Sequence, residues 1–167
     1  MTDKALQGLL DKQAINEVLL NYAHAIDHRD EDRLRSVFHP DSQHNHGFKG
    51  PSSDPDRASS VAKPGDFVAF ALNYLKGFLN THHQLGSPLI ELHGNLAHSE
   101  CYFTATHRMR AKGDPLAPEA AQDVEMETTV GGRYTDQFEK RDGVWKIIKR
   151  TGTTDWRRVL PAADRPA

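Results

Sequence analysis

Between residues 5 and 28, apolar side chains fall at Leu6, Leu9, Leu10, Ile15, Val18, Leu19, Tyr22, Ala23 and Ile26. Steps of three and four residues align them along one stripe, which predicts an amphipathic helix. Asp30 can cap a second short helix over 31–38. That helix must stop before Pro40, because a proline pushes the preceding residue out of helical backbone angles. The stretch 39–65 is rich in Pro, Ser, Asp and Gly and reads as a long loop, with one short strand over 44–49. A third helix is expected over 67–80, opened by Asp66, with Phe67, Phe70, Ala71, Tyr74, Leu75 and Phe78 on its apolar side.

The period then changes to two. Segments 84–93 and 97–112 read as strands joined at Gly94-Asn95. In the second of them Cys101, Phe103, Ala105, His107 and Met109 share a face, and Glu100, Tyr102, Thr104, Thr106, Arg108 and Arg110 take the other. Residues 113–122 form a Pro/Ala connection. A closing hairpin is expected from 124–140 and 144–155, turned at Asp142-Gly143, with a bend at Gly131-Gly132. The last stretch, 157–167, reads as a tail that frays or packs on a neighbouring subunit. Helices first and long antiparallel strands afterwards indicate an α+β fold. A strongly bent sheet wrapped over one long helix makes a half-open cone, and its mouth is a natural ligand pocket.

Composition narrows the class. The 167 residues suit a single domain, with its core at about 5–156. Apolar residues at 37% and charged residues at 26% are ordinary for a soluble globular chain. With 21 Lys and Arg against 23 Asp and Glu, no basic surplus points to nucleic acid. Cys101 is the only cysteine, so intrachain disulfides and thiolate zinc sites are excluded and a reducing cytoplasm fits best. No apolar run reaches the roughly 18 residues of a membrane span, and the first residues lack the pattern of a signal peptide. Histidine is in surplus at ten.

Several polar residues sit where they need a reason. Asp27 falls on a ridge bordering the buried stripe, near a helix C-terminus where the helix dipole disfavours negative charge. It therefore calls for a cationic or hydrogen-bonding partner. His82 and His83 are adjacent on a strand, so only one of them can enter a given pocket. Tyr22 lies on the apolar stripe, where core packing is the default. Arg150 shares a face with Ile148 in a regular strand, an inward or rim position. His107, Phe103 and Met109 share the inward register and are the candidates to line a cavity. His44-x-His46 could offer two metal ligands, with a third to come from His39, His82 or a carboxylate. No metal-site spacing accompanies them, so they read as solvated loop histidines and no metal is expected.

Three segments in order resemble the SnoaL-like branch of the NTF2-like superfamily, whose fold is cystatin-like. They are QAINEVLLNYAHAIDHRDEDRLRSVFHPD, NTHHQLGSPLIELHGNLAHSECYF and GGRYTDQFEKRDGVWKIIKRTGTTDW. Within that branch the chain looks most like lyases of the scytalone dehydratase, hexachlorocyclohexane dehydrochlorinase and bile acid 7α-dehydratase groups. The resemblance implies a cone of N-terminal helices packed in a strongly curved mixed or antiparallel sheet. It implies that Asp27 and His83, with His82 as rival, form an Asp–His dyad. It also implies that Tyr22 faces the pocket and that Arg150 helps hold a leaving group or an oxyanion. Ser87 stands where the family often has Asn, and the 39–65 loop has no counterpart motif. The implied activity is a cofactor-independent, dehydratase-type elimination on a small, largely apolar or cyclic substrate. The alternatives are an isomerase or polyketide-cyclase-like enzyme using the same base, and a non-catalytic ligand-binding or accessory subunit. A homo-oligomer, dimer or trimer, is the expected assembly, with no nucleic-acid or membrane partner.

Overall fold

The computed structural model describes residues 3–47, 61–62, 64–110 and 125–162. Helix α1, Asp3–His28, buries Ile15, Leu19, Tyr22, Ala23, Ala25 and Ile26. Its first turns do not join the core, and Leu6, Leu9 and Leu10 are half exposed. The helix ends at Arg29, whose φ of 55° is left-handed, and Arg29 Nη2 is tied to the Phe78 carbonyl at 2.6 Å. Asp30 then caps α2, Glu31–Ser36, accepting from the Arg33 amide at 3.0 Å.

The remaining elements are β1 (Phe38–Gly47), β2 (Val61–Ala62), α3 (Pro64–Leu75), β3 (Asn80–Leu85), β4 (Leu89–His93), β5 (Leu96–Arg110), β6 (Glu125–Arg141) and β7 (Val144–Pro161). They form one mixed seven-stranded sheet in the order β2-β1-β7-β6-β5-β3, with β4 also on β5. All pairings are antiparallel except that of β1 with β7. The helices pack on its inner face. The core between them takes Ile15 and Leu19 from α1, Phe67 and Val68 from α3, and Phe103, Phe138 and Ile147 from the sheet. Each such side chain contributes on the order of 2 kcal/mol.

Several expectations need correcting. The first nine residues of the expected long loop lie in β1, a ladder strand paired with β7. Its polar composition and Pro40 hide it. His44, expected in solvent, is 1% exposed and stacked on Phe67 at 4.2 Å between ring centres. The side chain of His46, the 113–122 connection and the Asp66 side chain lie outside the described residues. Helix α3 starts earlier and ends earlier than expected, and Phe70 and Tyr74 point outward. The single strand expected over 84–93 is two, β3 and β4, separated at Gly86-Ser87-Pro88. The expected tail is a strand as far as Pro161, paired with β6 out to Met126. Residues 163–167 lie outside the described residues.

The β6–β7 register shifts twice, between Gln137 and Phe138 and between Gly131 and Gly132. A bulge adds a residue on one strand and reverses which face the next side chains take. At the first shift Ile148 is the extra residue. Arg150 thus shares the inner face with Trp145 and Ile147 rather than with Ile148. The second falls at the glycine pair that the sequence marks as a bend. A Cβ on Gly132 would collide with the Thr153 backbone carbonyl, which cannot move, and meet the Phe103 ring at 3.0 Å. The atoms nearest a Cβ on Gly131 all belong to the Trp156 indole, which is 51% exposed and can swing away. Gly132→Ala is therefore expected to cost about 2 kcal/mol or more, and Gly131→Ala less than about 1 kcal/mol. Urea denaturation of the two variants checks the difference.

Candidate active site

Asp27 lies one residue from the end of α1, where it faces the start of β3. Its Oδ1 is 2.7 Å from His83 Nδ1 and accepts from the Thr81 hydroxyl at 2.8 Å. Its Oδ2 accepts from the His83 backbone amide at 2.8 Å. One carboxylate thus grips His83 at both backbone and ring, answering the need that its place at a helix C-terminus creates. The side chains are 18% and 8% exposed respectively. Burial pushes the Asp27 carboxyl upward, but the hydrogen bonds from the His83 ring and amide, the field of His83 and the Thr81 hydroxyl outweigh it. The net value falls to about 2. An ionised carboxylate only accepts, so His83 Nδ1 carries the proton and donates it to Asp27, leaving Nε2 as the acceptor in the neutral ring. His82 is exposed, so the strand's alternation settles which of the two neighbours turns inward.

Thr81, His83 and Leu85 lie opposite His107, Ala105 and Phe103 on β5, all on the inner face. The His107 ring meets His83 edge-on at 5.4 Å and Phe78 at 4.9 Å. Burial lowers the pKa of His107 to about 4, with the field of His83 adding to it and Asp27 opposing. Phe103 and Met109 are buried on the same face and contribute to the apolar wall.

Tyr22 and Arg150 form a second, fully buried group. Arg150, 0% exposed, donates from Nε and Nη2 to the two oxygens of Asp136, each at 2.7 Å. Its Cζ lies 3.9 Å from the Tyr22 ring centre and 4.4 Å from that of Tyr134. Burial alone would lower the Arg150 pKa; the charge and hydrogen bonds of Asp136 raise it well beyond the usual range. Burial raises both phenols, keeping them protonated. The structure therefore gathers Asp27, His83 and His107 in one contact group and Tyr22 and Arg150 in another. Sequence reasoning missed Asp136 and Thr81; a regular hairpin turned at Asp142-Gly143 would set Asp136 opposite Lys149, and only the bulge at Ile148 brings it opposite Arg150.

A groove of about 520 Å³ opens between the first half of α1 and the β3–β4 link, over Leu19, Leu85, Gly86, Ser87, Ile90 and Cys101. It does not include the Asp27–His83 pair. The pair lies further along the sheet, and the pair rather than the groove is the candidate site. Among the described residues no cluster of three or more metal-ligating side chains occurs, and no helix is long and apolar enough to cross a membrane.

His44 and His107 give the fold a pH signature. Burial, with the field of Arg150 adding to it, lowers the pKa of His44 to about 4, alongside the similar value for His107. Both refuse protons in the folded state that the unfolded chain accepts below about 6.5. Their contribution to stability is fully present above that pH and is lost as pH falls toward about 4. Unfolding free energy is expected to drop across that window, and His44→Phe, which keeps the stack on Phe67, to flatten the slope. Urea titrations between pH 7 and pH 4.5 measure it.

The sequence model of the SnoaL-like domain matches residues 7–151. Gamma-hexachlorocyclohexane dehydrochlorinase of Sphingobium indicum is 26% identical over 157 residues, which cover 90% of this chain and 85% of that protein. The solved structure of a hexachlorocyclohexane dehydrochlorinase, LinA Type2, superposes with a TM-score of 0.73 at 19% identity, covering 98% of this chain and 97% of its own. A cystatin-like protein of unknown function from Nostoc punctiforme superposes with a TM-score of 0.61 at 18% identity, covering 87% and 92%. The two structural likenesses are likenesses of fold.

Proposed function

The chain belongs to the SnoaL-like domain family, and from that premise we propose that it is a cofactor-independent lyase that removes water from a small, largely apolar or cyclic substrate. The observation that carries the reading is the 2.7 Å contact between His83 Nδ1 and an ionised Asp27 in a mostly enclosed site. Similarity to a dehydrochlorinase supports an elimination in general terms.

In the proposed reaction His83 Nε2 takes a proton from a carbon made acidic by a neighbouring carbonyl or ring. Asp27 stabilises the imidazolium that results. The electron pair of the broken C–H bond forms the double bond, and the C–O bond of the leaving hydroxyl breaks. The imidazolium returns its proton to that oxygen, so water leaves and His83 is restored. General acid–base help of this kind is worth about 10²–10⁴ in rate. His107, Phe103 and Met109 line the substrate's place. Tyr22 offers a phenolic donor at the inner end, and Arg150, its charge taken up by Asp136, positions that phenol.

Incubation with cyclic β-hydroxy ketones and cyclic β-hydroxy acids followed by mass spectrometry tests the class of reaction. The expected product is lighter than its substrate by one water. A product of unchanged mass would assign isomerisation instead, and no turnover across the panel by folded protein would favour a binding role.

A further inference from the structure

Two arginines of β7 point inward, at different places along the strand. Asp136 takes the charge of Arg150 through two 2.7 Å contacts. Arg157 lies further along, beyond the second bulge. There β6 pairs as Gly132 with Thr154 and then Gly131 with Trp156, so Asp155 is the extra residue. Without it, the alternation that buries Arg150 and Gly152 would carry Trp156 inward and turn Arg157 to solvent. With it, Trp156 lies over Gly131 on the outer face, 51% exposed, and Arg157 is half-buried opposite Val130 on the inner one. Exposing an indole in order to turn a guanidinium inward runs against burial energetics. Bulges re-aim side chains in this way beside sites.

The re-aimed cation reaches the dyad's neighbours. Arg157 Nη2 donates to the Thr128 hydroxyl at 3.3 Å. Thr128 is the β6 residue directly opposite His107, and His107 meets His83 edge-on at 5.4 Å. The positive field of Arg157 adds to burial in disfavouring a proton on His107. Arg157, His107, His83 and Asp27 thus share one end of the sheet's inner face.

We propose that Arg157 is a substrate-binding residue that takes the carboxylate of a cyclic β-hydroxy acid whose α-hydrogen faces His83. The planar fork of a guanidinium matches a carboxylate with two parallel hydrogen bonds. Neutralising that carboxylate makes the adjacent C–H easier to ionise, and its oxygens take up the charge that develops when the proton leaves for Nε2. Loss of the β-hydroxyl as water then gives an α,β-unsaturated acid. This assignment rests on the dyad reading for its chemistry, but its test does not.

The probe is cyclohex-1-ene-1-carboxylate, a product of that class, compared with its methyl ester by NMR titration of the intact protein. Wild type is expected to bind the acid at least about tenfold more tightly than the ester. Arg157→Met should remove that preference, and Arg157→Lys should keep part of the attraction while losing the fork. Binding needs no turnover, so an active Asp27→Asn variant would sink the dyad and leave this result standing. Equal binding of acid and ester by wild type, no binding of the acid, or an undiminished preference in folded Arg157→Met would each overturn the assignment.

Discussion

Asp27→Asn is expected to lower kcat/KM by about 10²–10⁴-fold, and His83→Ala by at least as much, while each variant keeps the wild-type circular dichroism spectrum. The size follows from what the carboxylate does. Three donors converge on Asp27, from the His83 ring, the His83 amide and the Thr81 hydroxyl. An Asn carbonyl in the place of Oδ2 can still accept from the His83 amide, which puts the NH₂ group in the place of Oδ1, facing the Thr81 hydroxyl and the His83 ring. There it can donate to His83 Nδ1, which selects the opposite tautomer and places a proton on Nε2 where the base should be. It also removes the charge that stabilises the imidazolium. Stability should respond separately. A carboxyl held down to about 2 from the ordinary 3.8 contributes on the order of 2 kcal/mol at neutral pH. Because the folded value is the lower one, that contribution is present above about pH 4 and is lost as pH falls toward 2. Asp27→Asn should accordingly flatten acid denaturation in that window. Wild-type turnover by the folded variant on a true substrate would remove the dyad from the mechanism.

Arg150→Met is expected to destabilise the fold by about 3–5 kcal/mol, one of the largest single-site losses available in this chain. Arg150 and Asp136 are both 0% exposed. Removing the guanidinium strands a fully buried carboxylate beside Tyr22 and Tyr134. Asp136→Asn should be comparably harmful for the mirror reason. The double variant Arg150→Met/Asp136→Leu, which removes both charges and refills the space, should recover most of the loss. Urea unfolding of the three variants measures this. A cost for Arg150→Met that matches an ordinary surface substitution would mean that the pair is not sealed from solvent.

Much of this architecture could be read from the residues. Helix α1, the alternation of β5 and the Asp142-Gly143 turn depend on local periodicity, which one strand or helix displays by itself. What escaped depends on partners. β1 looks like loop because it carries His39, Pro40, Ser42 and His44 where a strand usually carries apolar residues; its polar side chains are buried by β7 and α3, which the local pattern cannot reveal. Phe70 and Tyr74 match an apolar stripe, yet α3 is covered on one side only. The inward place of Arg150 is expected from the residues, but beside Ile148; the bulge at Ile148 that sets it with Trp145 and Ile147, and the one at Asp155 before Arg157, belong to the pairing of two strands and do not show in one. The meeting of Asp27 with His83 came from the family resemblance combined with strand alternation. The Asp136–Arg150 pair needed the actual register of β6 on β7.

The proton on His83 is the quantity on which the whole account turns, and it can be observed without any substrate. Two-bond ¹H–¹⁵N correlation spectra of the neutral ring should show Nδ1 protonated and Nε2 bare, with the population moving to the other tautomer in Asp27→Asn. A ring found with its proton on Nε2, or a spectrum that Asp27→Asn leaves unchanged, would contradict it.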